Sequence, residues 1–159
     1  PAGAEVAMRP LALGFGLVLA IGLIALAALR GAQSPGGRAD PGDARLVAQG
    51  RLVYDQYCAS CHGASLEGQP NWRDELPEGG RPAPPHDETG HTWHHADALL
   101  FEIVQKGPES SSLPGYVYRM PAFGGTLSDD EIWAVLAYIK STWPPDIQAA
   151  QDEVNRQAR

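Results

Sequence analysis

A chain of 159 residues has room for one compact domain and an extension, not for two full domains. Its formal net charge of −7 argues against nucleic acid as a partner. Two cysteines in the whole chain supply at most half of a four-ligand zinc site.

The apolar residues are unevenly placed. From Leu11 to Leu29 the chain reads LALGFGLVLAIGLIALAAL, uncharged, between Arg9 and Arg30. As a helix this run is roughly 28 Å long, close to the thickness of a bilayer core. A removed signal peptide competes with this reading, and Ala25-Leu26-Ala27 would be its cleavage site. The run exceeds the usual signal core of about 7–15 residues, and no polar stretch precedes that site, so residues 1–30 are expected to be a retained single-pass anchor. Either reading exports the remainder. Residues 31–159 keep all but one of the 19 acidic residues and lose two of the 12 basic ones, for a formal charge of −8. Such a surface steers a domain towards a basic patch on a partner, or simply keeps it soluble.

Residues 31–43, GAQSPGGRADPGD, have no apolar period and read as a flexible tether. Helical spacing begins at Ala44 and opens a domain expected over 44–145. Leu46, Val47, Gly50, Val53, Tyr54 and Tyr57 recur in three- and four-residue steps, which predicts a helix over about 43–60 with Asp43 as its N-cap. Gly50 costs this helix about 1 kcal/mol relative to alanine. Close approach of a second backbone would explain it, as would a tolerated glycine on an exposed face.

This helix runs directly into Cys58-Ala59-Ser60-Cys61-His62. C-x-x-C-H is the attachment pattern of c-type haem: two thiols one turn apart reach the two porphyrin vinyl groups, and the adjacent imidazole is carried under the iron. A thioredoxin-like dithiol and half of a zinc site are the alternatives. Residues 63–96 carry five prolines, several glycines and no periodic apolar run. A loop of this length wraps something, and a flat apolar ring would serve, with Trp72, Leu76 and Trp93 as candidates to cover it. Within it, HDETGHTWHH holds His86, His91, His94 and His95, four of the five histidines. Imidazoles beside a carboxylate suit copper or zinc, although solvated histidines that bind nothing explain the run equally simply.

Residues 97–107, DALLFEIVQKG, predict a short amphipathic helix with Leu100, Ile103 and Val104 on its apolar face, closed by Lys106-Gly107 before Pro108. Glu109–Tyr118 reads as loop, with a solvated serine run at Ser110–Ser112. Then comes Met120-Pro121-Ala122-Phe123. Met8 lies on the far side of the anchor, so a thioether at the iron's second axial position would have to be Met120; an ordinary buried methionine is the alternative. Ser128-Asp129-Asp130-Glu131 is a capping box opening a helix that runs to about Trp143, where Pro144 and Pro145 stop it. Ile132, Val135, Leu136 and Ile139 form its apolar stripe, with Trp133 and Tyr138 beside it. The tail, residues 146–159, predicts one polar helix with Ile147, Ala150 and Val154 inward.

Residues 44–143 together resemble class I cytochrome c. In that family a first helix bearing a glycine, and an aromatic four residues later, leads into the haem motif, as Gly50, Tyr54 and Cys58–His62 do here. Its last helix crosses the first at the glycine and contributes an aromatic, a role that Tyr138 resembles, and its distal loop is often M-P-A-F, matched by Met120–Phe123. The resemblance implies an all-α fold of three to four helices around one covalently bound haem c, here preceded by a transmembrane helix. It implies Cys58 and Cys61 as the thioether attachments, His62 as proximal iron ligand and Met120 as distal ligand. A proline carbonyl commonly accepts the proximal imidazole's N–H, and Pro84, Pro85 or Pro70 could supply it.

With both axial positions filled no open iron remains for a substrate. The expectation is therefore an electron carrier and not an enzyme, tethered to the bacterial cytoplasmic membrane with its haem domain in the periplasm. It would pass electrons between respiratory or photosynthetic protein partners. A cytochrome subunit of a larger oxidoreductase complex, and a metal-handling protein using the histidine loop, are the competing readings.

Overall fold

The computed structural model describes residues 38–108, 117 and 119–158. The expected anchor at 1–30, most of the expected tether and the serine run lie outside the described residues. Among the described residues the chain is helix and loop without a strand, and no helix is long and apolar enough to cross a membrane. Helix α1 spans Ala44–Tyr57, α2 is the single turn Ala59–His62, and a 3-10 turn covers Thr92–His94. Helix α3 spans Asp97–Lys106, α4 Asp129–Ser141 and α5 Pro145–Gln157. The count exceeds the expected three to four because the C-x-x-C-H turn is a separate helix and the tail adds another.

Local sequence explains the helix ends. Asp43 caps α1 by accepting the N–H groups of Arg45 and Leu46. Cys58 (φ −113°, ψ −40°) interrupts what spacing predicts as one helix to residue 60. The Ser128 hydroxyl accepts the Glu131 N–H while the Glu131 carboxylate accepts the Ser128 N–H at 2.8 Å, so the expected capping box opens α4. At the other end, the Ser141 and Thr142 hydroxyls bond back to the carbonyls of Tyr138 and Ile139, and the helix stops two residues short of Trp143.

The core sits between α1 and α4. Val53 and Tyr54 meet Ile132, Val135, Leu136, Tyr138 and Ile139, all buried, with Leu100 of α3 and Trp143 closing the cluster. At the crossing, a Cβ on Gly50 would lie 1.9 Å from the Ala134 carbonyl oxygen and 2.9 Å from Tyr138 Cβ. The glycine is there because two backbones touch, not because its face is exposed. Gly50→Ala is therefore expected to destabilise the fold despite the roughly 1 kcal/mol that alanine gains in helix propensity. Forcing the helices apart costs about 1–3 kcal/mol or more. Chemical denaturation checks this, and an unchanged midpoint would contradict it.

The tail helix departs from its expected inward face. Ile147 and Val154 are partly buried, but Ala150 is exposed and the fully buried residue is Gln151. The physical reason is the surface it meets, which is polar: Gln151 Nε2 donates to the Asp97 carboxylate at 2.7 Å and to the His95 carbonyl at 3.2 Å. An amide matches that surface where a methyl group would not. Asn155 accepts the Asp97 N–H at 2.7 Å, so α5 also supplies the cap that α3 lacks from its own N-cap, Ala96.

Candidate functional site

The end of α1 and the turn α2 carry two free thiols and an imidazole. Cys58 is half-buried and Cys61 is exposed. Burial, with the Cys61 thiol adding to it, pushes the Cys58 pKa up to about 11. Burial thus keeps that thiol protonated at neutral pH, unlike the activated thiolate of a C-x-x-C redox pair.

His62 is buried, and its Nδ1 lies 2.8 Å from the Pro84 carbonyl oxygen. Of the three prolines considered, Pro84 makes this contact. A carbonyl only accepts, so Nδ1 carries the proton. Burial lowers the pKa of the ring, outweighing the opposing pull of the Pro84 bond, so the imidazole is held neutral and the lone pair resides on Nε2. This is the protonation state that a metal-binding histidine needs.

The loop that presents Pro84 is built by backbone packing. Gln69 N–H donates to the Ala83 carbonyl at 2.9 Å, and the Gln69 side chain accepts the Ala83 N–H at 3.0 Å. Leu66 O accepts the His86 N–H at 2.8 Å, and His62 O accepts the Gly68 N–H at 2.7 Å. Gly68 and Gly90 clasp Pro85: a Cβ on the first would sit 2.4 Å from Pro85 N, and on the second 2.1 Å from Pro85 O. These residues escape sequence reasoning because backbone contacts leave no side-chain period. Glycines flanking a proline run are the one signal present.

Among the described residues no three His, Cys, Asp or Glu side chains come together in a group that could hold an ion. The rings of the histidine loop stack instead. His86 lies on His62 (centroids 4.0 Å, 23° between planes), His91 on Trp72 (5.4 Å, 8°) and His94 on Trp93 (3.6 Å, 28°). His95 meets the edge of His91 at 5.5 Å. Of the aromatics proposed to cover a ring, Trp93 packs on the core, whereas Trp72 lies between His91 and the Arg73 guanidinium, 4.0 Å from its ring.

Met120 is half-buried at a bend opening the M-P-A-F loop. That loop is pinned to the end of α3, since Phe123 and Gly124 N–H groups donate to the carbonyls of Val104 and Gln105, both at 2.9 Å. Phe123 also meets the edge of Tyr57, one residue before Cys58, at 6.4 Å. The loop is thus anchored beside the end of α1 that bears the thiols.

Helices crossed at a glycine, C-x-x-C-H at the end of the first and M-P-A-F ahead of α4, form the architecture of a cytochrome c-type domain. Residues 45–139 match the family model described as "Cytochrome C oxidase, cbb3-type, subunit III", and the chain belongs to that family of cytochrome c domains. It is similar to the "Cbb3-type cytochrome c oxidase subunit CcoP" of Azospirillum sp. (strain B510), 32% identical over 99 residues. That match takes in 61% of this chain but only 29% of the Azospirillum protein. It is also 31% identical over 108 residues to "Cytochrome c-555" of Prosthecochloris aestuarii, covering 58% of this chain and 84% of that protein. Family membership implies a c-type haem. The donor set fits one: two thiols three residues apart, and a neutral imidazole with its Nε2 lone pair free of the Pro84 bond.

Proposed function

We propose that this chain is a non-catalytic electron-transfer subunit, carrying one haem c in a larger oxidoreductase of the cbb3-type oxidase class. The observation that carries this reading is the His62–Pro84 bond of 2.8 Å beside the two thiols, in a domain matched to an oxidase-subunit family. Cys58 and Cys61 would hold the haem through thioethers, and His62 and Met120 would fill the two axial positions. Bound there, the haem supplies one-electron exchange between ferric and ferrous iron. The chain's own work is to orient and to exclude water. Pro84 sets the His62 tautomer, the glycine-clasped loop holds Pro84 still, and the α3 carbonyls fix the loop that bears Met120.

Residues 1–30 would anchor the domain in the bacterial cytoplasmic membrane, 31–43 tether it, 44–145 form the haem domain and 146–159 the tail. The haem domain would face the periplasm, and the donor and acceptor would be proteins. Co-purification in mild detergent tests the subunit reading: stoichiometric association with one oxidoreductase is expected. Isolation of the full chain alone would favour a freely moving carrier, the second reading, which the long match to cytochrome c-555 supports.

Met120→Ala tests the distal ligand. The variant is expected to keep covalent haem, to have a lower potential because a soft thioether favours ferrous iron, and to bind added imidazole at the opened position. A wild-type spectrum and potential in the variant would count against Met120.

A further inference from the structure

One hydrogen bond restrains the His62 ring at a single atom. What lies against its faces restrains the tilt of the ring plane, because the terminal torsion of histidine has a broad, soft minimum. On one face lies His86, 4.0 Å away and within 23° of parallel. His86 is itself fixed from several directions. Its N–H donates to Leu66 O at 2.8 Å, and its carbonyl accepts the Trp143 indole N–H at 2.7 Å. Its Nδ1 lies 2.8 Å from the hydroxyl of Thr92, a buried residue, and Tyr54 meets its ring edge-on at 6.4 Å and 74°. The loop, α1, the 3-10 turn and Trp143, two residues beyond α4, all converge on it. A residue needed only to fill space there would be aliphatic. A half-buried imidazole carries part of a desolvation cost that the Thr92 contact offsets, and in return it offers a flat face at a set angle.

We propose that His86 is a positioning residue, a plate held by Thr92 and Trp143 that sets the plane of the His62 imidazole and so the orientation in which it meets the iron. This rests on the reading of His62 as an axial ligand. Partners around a first ligand commonly fix its ring orientation, and His86 does so through its face, beside the Pro84 bond that acts through Nδ1.

The test uses the full-length holoprotein in detergent. A pyridine-haemochrome assay on the wild type comes first; absence of covalent haem removes the axial-ligand reading and overturns the proposal with it. Haem-methyl proton shifts and ferric EPR g-values then report the imidazole plane in His86→Leu, His86→Phe and Thr92→Val. His86→Leu is expected to redistribute the methyl shifts and change the g-anisotropy while haem content and the Met ligand are retained. His86→Phe, which keeps a flat face, should change them less. Thr92→Val should move them in the same direction as His86→Leu by a smaller amount. A wild-type pattern in His86→Leu, or in Thr92→Val if the leucine variant does not fold, overturns the proposal even where stability falls. In that case the axial-ligand reading stands.

Discussion

Replacing Cys58 and Cys61 together with alanine is expected to abolish covalent haem and to leave a chain without a stable native state. The size of the effect follows from how the domain is built. The long segment 63–96 contains a single 3-10 turn and is organised around the C-x-x-C-H turn, through His62 to Pro84 and Gly68 to His62. Cys58, Ala59 and Tyr57 pack against the edge of the core. A haem held by thioethers stays on the chain whether it is folded or not, so it would stabilise the native state through the apolar ring surface buried and the axial bonds made only there. Small domains have only about 5–15 kcal/mol to lose. Cys61→Ala alone should keep one thioether and a weakened fold. Denaturing extraction followed by absorption, with thermal melts by circular dichroism, checks both variants. A double variant that keeps its pigment through extraction would contradict the assignment.

Asp97→Ala is expected to cost about 3–5 kcal/mol, the usual consequence of leaving a buried charge unpaired. The charge left behind is that of Lys140, 2% exposed, whose Nζ lies 3.0 and 2.8 Å from the two Asp97 carboxylate oxygens. The same carboxylate accepts from Gln151, so its loss also frees α5 from the start of α3. Adding Lys140→Met should recover much of the loss, because an apolar side chain of similar length removes the orphaned charge. Urea denaturation of the single and double variants decides the matter. A loss under about 1 kcal/mol for Asp97→Ala, typical of an exposed pair, would contradict burial as the source of the effect.

Several of these features were legible in the sequence, and the reason differs for each. Helices α1 and α4 announce themselves through apolar periods of three and four and through side-chain caps at Asp43 and Ser128, both present as read. Gly50 was legible as an anomaly, and its meaning came from the Ala134 carbonyl beside it. The C-x-x-C-H turn is legible as a motif but not as a separate helix, because nothing in the residue types marks the kink at Cys58.

Polar packing was far less visible. Asp97 and Lys140 meet across 43 positions of chain in a partly buried site, and no apolar period pairs them. For the same reason the tail's apolar spacing points inward at Ala150 as well as Ile147 and Val154, and passes over Gln151. The choice of Pro84, the clasp of Gly68 and Gly90, and the stacking of His86 all depend on backbone proximity, which has no period. Partner choice was hidden too, since it resides in surface chemistry. Against the expected membrane-tethered carrier, membership of an oxidase-subunit family favours the competing reading, a subunit of a larger oxidoreductase.

The most direct test is an absorption spectrum of the purified full-length protein in both redox states, taken with acid-acetone extraction and pyridine haemochrome analysis. One covalently held haem c per chain is predicted, resistant to extraction, with a weak near-infrared sulfur-to-iron band in the ferric state that vanishes in Met120→Ala. A colourless protein, or a pigment that acid-acetone removes, would contradict it.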